Sequence, residues 1–529
     1  MIFAFRILCC AILLLVLADA GAHERQHDGE PAVGAIAADA PAAPVLGAID
    51  FPTSARDPAA QAAFVRGMLL LHLFEYERAR VEFQQAERLQ PDFAMAYWGE
   101  AMTHNHPIWD QRDTVAAEAV LTRLGATPAE RAAKAGSARE REFLAALDAL
   151  FATASKAAAD RAYLAAMQTM ARRYPNDHEV QLFQALALLG VHAGVRDIDD
   201  YLRAAAIAQD VFSANPEHPG AAHYLIHAVD DPVHAILGLS AARALARMAP
   251  DAGHSQHMAS HIFLALGMWD ELIAVNRAAI KVVDADRARQ GQPPRHTGHY
   301  NFWLLYGWLQ TGREDQALAL LRQAFADRAR SSEPPPAALQ LDADDSLTGS
   351  LVQMWARYLI ETRGWQSELL DWRFELGDST DPKLTEAYVR SLAGYRRGEN
   401  LLGRHWRKTF ERERARLSAL IAAELEPVPE HQQFLERLAV QSAQLAALEK
   451  IAAGDHSGAL VLAAEASQRE GAMPAAFGPP AVDYPAAEFL GDLLSEAGQP
   501  NAARAAYQQQ LRRSQGKTRS LEGAQSKTP

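Results

Sequence analysis

The sequence predicts an all-α protein, a right-handed superhelix (α-solenoid) of about ten helical hairpins, some of them degenerate. Alanine is abundant among the 529 residues, whereas runs rich in Val, Ile and Thr are scarce. This composition favours helix over sheet. Apolar residues recur with helical periodicity from about Pro58, and small residues, aromatics and prolines then repeat about every 34 residues. A fixed period of that length is typical of stacked helical hairpins.

The first 57 residues predict a targeting signal and a leader. Residues 1–22 combine an early arginine, the apolar run Ile7–Leu17 and small-residue cleavage sites, as in a secretory signal peptide. Residues 23–57 are rich in Ala, Gly and Pro without an apolar face, and predict a flexible leader. Cys9 and Cys10 lie inside the signal, so the mature chain has no thiol ligand. We expect a periplasmic or secreted protein with no membrane span after signal cleavage.

Four further segments follow from the periodicity. Residues 58–330 predict an N-terminal repeat array with a histidine-lined groove. Residues 331–345 contain three consecutive prolines and predict a linker or long loop. Residues 346–512 predict a C-terminal repeat-like helical array, and residues 513–529 a polar, disordered tail.

The repeat resembles the tetratricopeptide repeat (TPR). In the first unit, small residues allow close helix packing, aromatics fill the gap to the next repeat, and a proline ends the second helix. These residues are Gly67, Tyr76, Ala79, Phe83, Ala86 and Pro91. More narrowly, the chain resembles a group of bacterial exported TPR proteins. The motifs that carry this resemblance are Ala96–Met102, His223–Ala235, His257–Glu271 and Phe477–Pro480. This resemblance implies a fold and no particular activity.

Histidines cluster in the middle of the chain. Of the 19 histidines, 8 lie between His223 and His299, where an even spread would place roughly three. His223 and His227 lie four residues apart, and the same pair recurs 34 residues later as His257 and His261. One repeat period therefore separates the two pairs.

The TPR register turns these histidines toward the concave surface, where the first helix of each repeat lines the groove. Side chains from neighbouring helices about 8–10 Å apart can converge there. The candidate ligand-binding residues at such positions are His223, His227, His254, His257, His261, Asp230, Asp231, His299, Tyr306, Trp98 and His106.

Three kinds of site remain open at this surface. The two pairs His223, His227 and His257, His261 would form a metal site with four nitrogens, or with three and an open position; imidazole without thiolate suits Zn or Cu. Asp230 or Asp231 would orient a histidine, and an open position would activate water for hydrolysis. Alternatively, the histidines and Arg295 bind an anion or a peptide's charged groups, or the histidines only stabilise the fold.

We therefore predict a binding or scaffold protein that captures a peptide, a partner protein or a small ligand, with the histidines as polar anchor. The alternative is a His-ligated metalloprotein, extending to a hydrolase. A net charge of −13 argues against nucleic-acid binding. No Gly-rich phosphate loop or G-x-S-x-G elbow occurs, so no catalytic residues are assigned and no cofactor beyond Zn or Cu is suggested.

Overall fold

Helix accounts for about 72% of the residues that the structure describes, and the all-α helical-repeat superhelix is confirmed. The computed structural model describes residues 44–151, 155–192, 196–341, 343–423 and 429–526. The predicted signal peptide lies outside these residues. Among the described helices, none is both long enough and apolar enough to cross a membrane.

Ten hairpins of two helices follow one another along the described chain. Their first helices are α1 (Pro58–His72), α3 (Ala94–Met102), α6 (Ala138–Phe151), α8 (His178–Gly190), α10 (Pro219–Val229), α12 (Gly253–Ala265), α14 (His299–Gln310), α17 (Asp381–Arg396), α19 (Pro429–Ala452) and α21 (Ala486–Glu496). Their second helices are α2 (Tyr76–Leu89), α4 (Thr114–Leu124), α7 (Lys156–Arg173), α9 (Ile198–Ala214), α11 (Leu239–Met248), α13 (Trp269–Arg289), α15 (Glu314–Arg330), α18 (Asn400–Ala422), α20 (His456–Ala472) and α22 (Pro500–Leu511).

A few elements lie outside the hairpins. The additional helices are α5 (Pro128–Lys134), α16 (Leu347–Glu361) and α23 (Thr518–Gln525). Short 3-10 turns occur at Pro107–Trp109, Ala235–Gly238, Ala343–Asp345 and Glu368–Asp371, and the strands β1 (Asn105–His106) and β2 (Gln111–Arg112) pair antiparallel. Because α16 is followed by a 3-10 turn in place of a second helix, the repeat is degenerate there.

The turn between the two helices recurs in one conformation. Five hairpins place a glycine there with φ between 69° and 81°, namely Gly267, Gly312, Gly398, Gly454 and Gly498. Glycine suits this left-handed conformation because it has no Cβ. Phe74 and Arg363 occupy the same position with φ of 57° and 51°. The same hydrogen bond closes their turns, as from Glu75 N–H to the Leu70 carbonyl. A side chain at this position is strained, typically by about 1–3 kcal/mol.

Small residues set the spacing between hairpins, as the first repeat shows. The ring of Phe83 on α2 lies between Gly67 of α1 and Gly99 of α3. A Cβ at Gly67 would lie 2.7 Å from this ring, and one at Gly99 would lie closer still. The predicted roles of Gly67 as the small residue and Phe83 as the filler therefore agree with the packing.

Residues 44–57 are ordered, which corrects the prediction of a flexible leader over this part of 23–57. The Val45 N–H donates to Asp251 Oδ2 at 2.9 Å, and the Ala48 N–H donates to the Glu217 carbonyl at 2.9 Å. Phe51 is buried in the core. Two backbone hydrogen bonds and a buried ring thus hold in place a segment whose Ala, Gly and Pro content predicted flexibility. Residues 23–43 lie outside the described part of the chain.

The predicted histidine-lined groove is filled rather than open. Helix α1 packs directly against α10, and the Arg78 guanidinium donates to the Asp251 carbonyl at 3.0 Å. The four histidines of the predicted metal site are only 0% to 8% exposed. The curvature of the superhelix therefore brings the first hairpin onto the surface that the repeat register turns inward.

The C-terminal residues are also ordered, which corrects the predicted disordered tail over 513–526. Trp269 Nε1–H donates to the Gly516 carbonyl at 2.9 Å. Lys517 is 0% exposed, and its Nζ lies 2.6 Å from Glu361 Oε2 and 3.5 Å from Glu488 Oε2. A buried lysine between two carboxylates fixes the start of α23, although the surrounding sequence is polar.

Candidate metal centre

Six histidines form two clusters of three, here called triad 1 and triad 2. Triad 1 joins His223 and His227 of α10 to His254, in the first turn of α12. Triad 2 joins His257 and His261 of α12 to His299, the first residue of α14. Within each triad, one ligand atom per residue lies within 4.8 Å of the others.

This arrangement corrects the predicted single site of two facing pairs. Each i,i+4 pair lies on one helix face, and the third histidine of its triad comes from the N-terminal end of the next first helix. The rings of His227 and His261 are the contact between the triads, with centroids 6.3 Å apart. The two triads therefore follow one another along the superhelix, as the repeat does.

In triad 2, the Nδ1–H of His257 and of His261 each has a fixed acceptor. His257 donates to Asn276 Oδ1 at 2.8 Å, and Asn276 is itself oriented by donating to the Leu272 carbonyl at 2.9 Å. His261 donates to Asp230 Oδ2 at 2.6 Å. Asp230 is thus an orienting carboxylate of the kind considered from the sequence. A neutral imidazole carries one proton, so with both rings neutral and Nδ1 donating, the two Nε2 atoms are unprotonated.

The third histidine of triad 2 also donates its Nδ1–H to a side-chain oxygen. His299 donates its Nδ1–H to Asp344 Oδ2 at 2.7 Å. Asp344 comes from the 3-10 turn inside the segment predicted as a linker. Oxygen acceptors on Nδ1 fix the tautomer and raise the basicity of Nε2, as in carboxylate–histidine–metal sites.

Two imidazole nitrogens lie in contact at the centre of triad 2. His257 Nε2 and His261 Nε2 are 3.2 Å apart, so their lone pairs repel unless a proton or a cation lies between them. Burial, together with the neighbouring His299 and His261, holds the pKa of His257 well below its ordinary value, which disfavours a proton on His257. Two nitrogens bound at about 2.0–2.1 Å to one tetrahedral zinc lie roughly 3.3 Å apart, close to the observed distance.

Triad 1 has a similar pair. His223 donates Nδ1–H to the backbone carbonyl of His72 at 2.7 Å, and its Nε2 lies 3.1 Å from His227 Nε2. Burial lowers the pKa of His223 to about 3, and burial with the nearby His223 holds the pKa of His227 well below its ordinary value. Because His227 Nε2–H can donate to His223, this pair tolerates a neutral state more readily than the pair in triad 2.

Aromatic rings cover both triads. The centroid of Phe74 lies 4.4 Å from that of His223 and 5.6 Å from that of His227. Trp303 lies 4.7 Å from His257 and 4.5 Å from His261 by the same measure. The strained residue of the first hairpin turn is thus the one that shields triad 1 from water.

The motif Phe477–Pro480 supports this aromatic cover from the C-terminal array. A Cβ at Gly478 would lie 2.6 Å from Cζ2 of Trp303, so the backbone of this loop lies directly against the indole. The sequence resemblance singled out this motif, and its place in the fold is behind triad 2.

A third cluster, His72, Glu179 and His218, differs from the triads because no lone pairs oppose each other. Both rings donate Nε2–H to Glu179, at 2.8 and 3.2 Å. Nδ1 of His72 accepts from the Tyr224 hydroxyl at 2.9 Å, and Nδ1 of His218 accepts from the Ala221 N–H at 3.4 Å. Burial alone would raise the pKa of Glu179, but His72 and His218 hold it far below its usual range. Hydrogen bonds satisfy this cluster without a cation.

Two predicted ligand-binding residues are core residues instead. Trp98 is fully buried, with its ring 6.3 Å from that of Phe51 and 5.1 Å from that of Phe143. Tyr306 is fully buried beneath the guanidinium of Arg357, 5.4 Å from the ring centroid. Both predictions failed for the same reason: other parts of the chain cover the surface that an isolated repeat would expose.

Two more predicted residues lie beside the triads without joining them. His106 stacks on Tyr76, with centroids 4.0 Å apart. Asp231 accepts from His234 Nδ1–H at 2.9 Å, and its Oδ2 lies 3.3 Å from Arg196. Of the two candidate orienting carboxylates, only Asp230 contacts a triad histidine in the described structure.

Several residues at the centre were not predicted. Asn276 and Asp344, which orient triad histidines, lie on a second helix and in a loop, where the sequence offers no register for them. Phe74 was identifiable in principle, since aligning the hairpin turns places it where five other repeats have glycine. A bulky residue at a turn that favours glycine was the available signal.

Comparisons with known proteins identify no family. No protein-family model matches the sequence, and no curated protein matches it. Among solved structures, the chain is similar to a human IFIT1 dimer with m7Gppp-AAAA, at 13% identity and a TM-score of 0.35, over 87% of this chain and 91% of that one. Yeast Tom70 matches at 12% identity and a TM-score of 0.34, over 89% and 95%. The TPR domain of P58(IPK) matches at 12% and 0.19, over 88% and 96%. At such low TM-scores, these likenesses carry no inference about a ligand.

Proposed function

We propose that this chain is a transition-metal-binding protein, in which triad 2 binds one Zn or Cu ion and triad 1 a second. The observation that carries the proposal is the 3.2 Å approach of His257 Nε2 and His261 Nε2, whose Nδ1 protons are both committed to other acceptors. A bound cation would turn this repulsion into coordination. A helical-repeat superhelix is a suitable scaffold, since it repeats one local geometry along its length.

The donor set narrows the class of metal. Each triad offers three imidazoles, without thiolate or carboxylate ligands, and such a set suits Zn or Cu rather than Mg or Ca. Acceptors on Nδ1, such as Asp230 and Asp344, would strengthen Nε2 as a ligand. Three protein ligands would leave a fourth position for a small exogenous ligand.

Burial and contacts favour metal binding over the other predicted functions. A peptide groove anchored by these histidines is disfavoured because α1 already packs on α10. The anion alternative is weakened because Arg295 lines a separate cavity with Asp284 and Thr297, and no triad histidine lines it. For hydrolysis, the aromatic cover of Phe74 and Trp303 would restrict a substrate's access. A periplasmic or secreted location remains a prediction from the N-terminal residues.

The test is the metal content of the mature chain, purified without a histidine tag and reconstituted separately with Zn and Cu. We expect about two ions per chain, falling to about one in H257Q/H261Q, about one in H223Q/H227Q and none in the quadruple variant. The matched control is H405Q/H456Q, which changes two exposed histidines. Circular dichroism would verify that each variant is folded.

Two results would reject the proposal. The first is wild-type protein that binds neither metal after reconstitution. The second is a folded quadruple variant that binds as much metal as the H405Q/H456Q control.

A further inference from the structure

A second candidate site lies in the C-terminal array, far along the chain from the triads. It is a cavity of about 360 Å³, a volume within the range of small-molecule sites. It lies where α16, α17, α21, α22 and the C-terminal α23 approach one another. The lining residues are Arg363, Trp365, Arg396, Tyr484, Asp492, Ser495, Glu496, Tyr507 and Arg519.

Arg363 enters this cavity from a strained backbone position. Its φ of 51° places it at the turn where five hairpins have glycine, so an arginine here carries a conformational cost that glycine would avoid. Its guanidinium lies 4.0 Å from the ring centroid of Tyr484 and donates to Glu488 Oε1 at 2.8 Å. Among the described residues, the only other side chain in this conformation at an equivalent turn is Phe74, which covers triad 1.

The acidic residues around the cavity already pair with two of its arginines, Arg363 and Arg396. Arg396 pairs with Glu496 at 2.6 Å, and that glutamate is 53% exposed. Asp492 is engaged by the hydroxyl of Tyr507 at 2.6 Å and by Arg363 at 3.0 Å.

Two donors have no acceptor among the described residues. The buried Nε–H groups of Arg363 and Arg519 have no hydrogen-bond partner there. Arg519 lies two residues after Lys517, whose buried ion pairs fix the start of α23. The C-terminal helix thus holds one of the two donors in place.

We propose that this cavity binds an anionic small molecule through a carboxylate or phosphate group held by Arg363 and Arg519. The Nε–H groups of Arg363 and Arg519, which lack an acceptor among the described residues, would each donate to an oxygen of the oxyanion. Tyr484, Tyr507 and Trp365 would pack against the body of the ligand. The site is independent of the metal centre, since it shares no residue with either triad.

The experiment is isothermal titration calorimetry of the full mature chain with two probes, inorganic phosphate and benzoate. We expect at least one probe to bind, and to bind at least about tenfold more weakly to R519Q and to R363G, since each loses a charged donor. R363G introduces the residue that five equivalent turns contain, which suits the backbone of the turn, but it also removes the ion pairs with Glu488 and Asp492, so R519Q is the variant that decides. R469Q, at an exposed arginine, is the matched control and should bind as wild type does.

The pattern of binding also identifies the source of the oxyanion. Tighter binding of phosphate indicates a phosphorylated ligand, and tighter binding of benzoate indicates an aromatic carboxylate; both support the proposal. It is overturned if neither probe binds wild type at up to about 10 mM. It is also overturned if R519Q and R363G, both verified as folded, bind the probes as tightly as R469Q.

Discussion

Replacing Asp230 by asparagine tests the chemistry of triad 2 with one atom changed. Asp230 is buried, and its Oδ2 accepts the Nδ1–H of His261 at 2.6 Å. The D230N variant keeps the shape of the side chain but removes its charge. We expect His261 to become a weaker ligand, because the carboxylate no longer increases the electron density on Nε2.

The magnitude follows from the role of this contact. Loss of a partner that orients a metal-binding histidine typically weakens metal affinity by about 10–100-fold, or about 1.4–2.7 kcal/mol. The short, buried and charge-assisted hydrogen bond at Asp230 places this variant toward the upper end of that range. Without metal, the amide oxygen can still accept from His261, so we expect the free energy of unfolding to fall by only about 1 kcal/mol.

The neighbouring residue offers a matched control. Asp231 accepts from His234 and approaches Arg196, but it contacts no triad histidine. D231N therefore removes the same charge from an adjacent buried position while leaving triad 2 intact. Metal affinity would be measured by competition with a chromophoric chelator, and the stability of the metal-free proteins by urea unfolding.

The comparison between the two variants decides the question. The reasoning is refuted if D230N binds Zn and Cu as tightly as wild type. It is equally refuted if D231N loses as much affinity as D230N, because the effect would then come from net charge or general loosening rather than from the His261 contact.

Three further predictions concern stability. F74G removes a buried ring but also removes the strain of a side chain in the left-handed turn. It should therefore lower the free energy of unfolding by about 2 kcal/mol, less than the roughly 3–5 kcal/mol expected for F83A, as urea unfolding would show. The pKa values of His223 (about 3) and His257 are lowered by burial, so below pH ~6.5 the unfolded chain takes up protons that the folded chain does not. The free energy of unfolding of the metal-free protein should therefore fall by up to about 1.4 kcal/mol per pH unit for each of these residues as the pH falls. In H223Q/H257Q this free energy should depend less on pH, and an unchanged pH dependence would contradict the reasoning. K517M leaves two buried carboxylates without their ammonium partner and should lower the free energy of unfolding by about 3–5 kcal/mol. An unchanged free energy of unfolding would contradict these ion pairs and support the prediction of a disordered tail.

Prediction from sequence succeeded where the relevant geometry is local. The fold class followed from composition and period, and the pairing of His223 with His227 followed from helix geometry, in which residues four apart share a face. It failed for Trp98 and Tyr306, because repeat position alone does not show which surface another segment covers. It also failed for residues 44–57, where the burial of a single Phe51 outweighs a composition that suggests flexibility.

The sequence by itself determined the repeat, the inward direction of the histidine pairs and the confinement of both cysteines to positions 9 and 10. Only the tertiary structure decided that there are two triads, completed by His254 and His299, and that Asn276, Asp230 and Asp344 fix the tautomers of triad 2. The physical reason is the length of chain over which each effect acts. Helical periodicity acts over a few residues, whereas the closure of α1 onto α10 and of the C-terminal array behind Trp303 results from small rotations accumulated over many repeats.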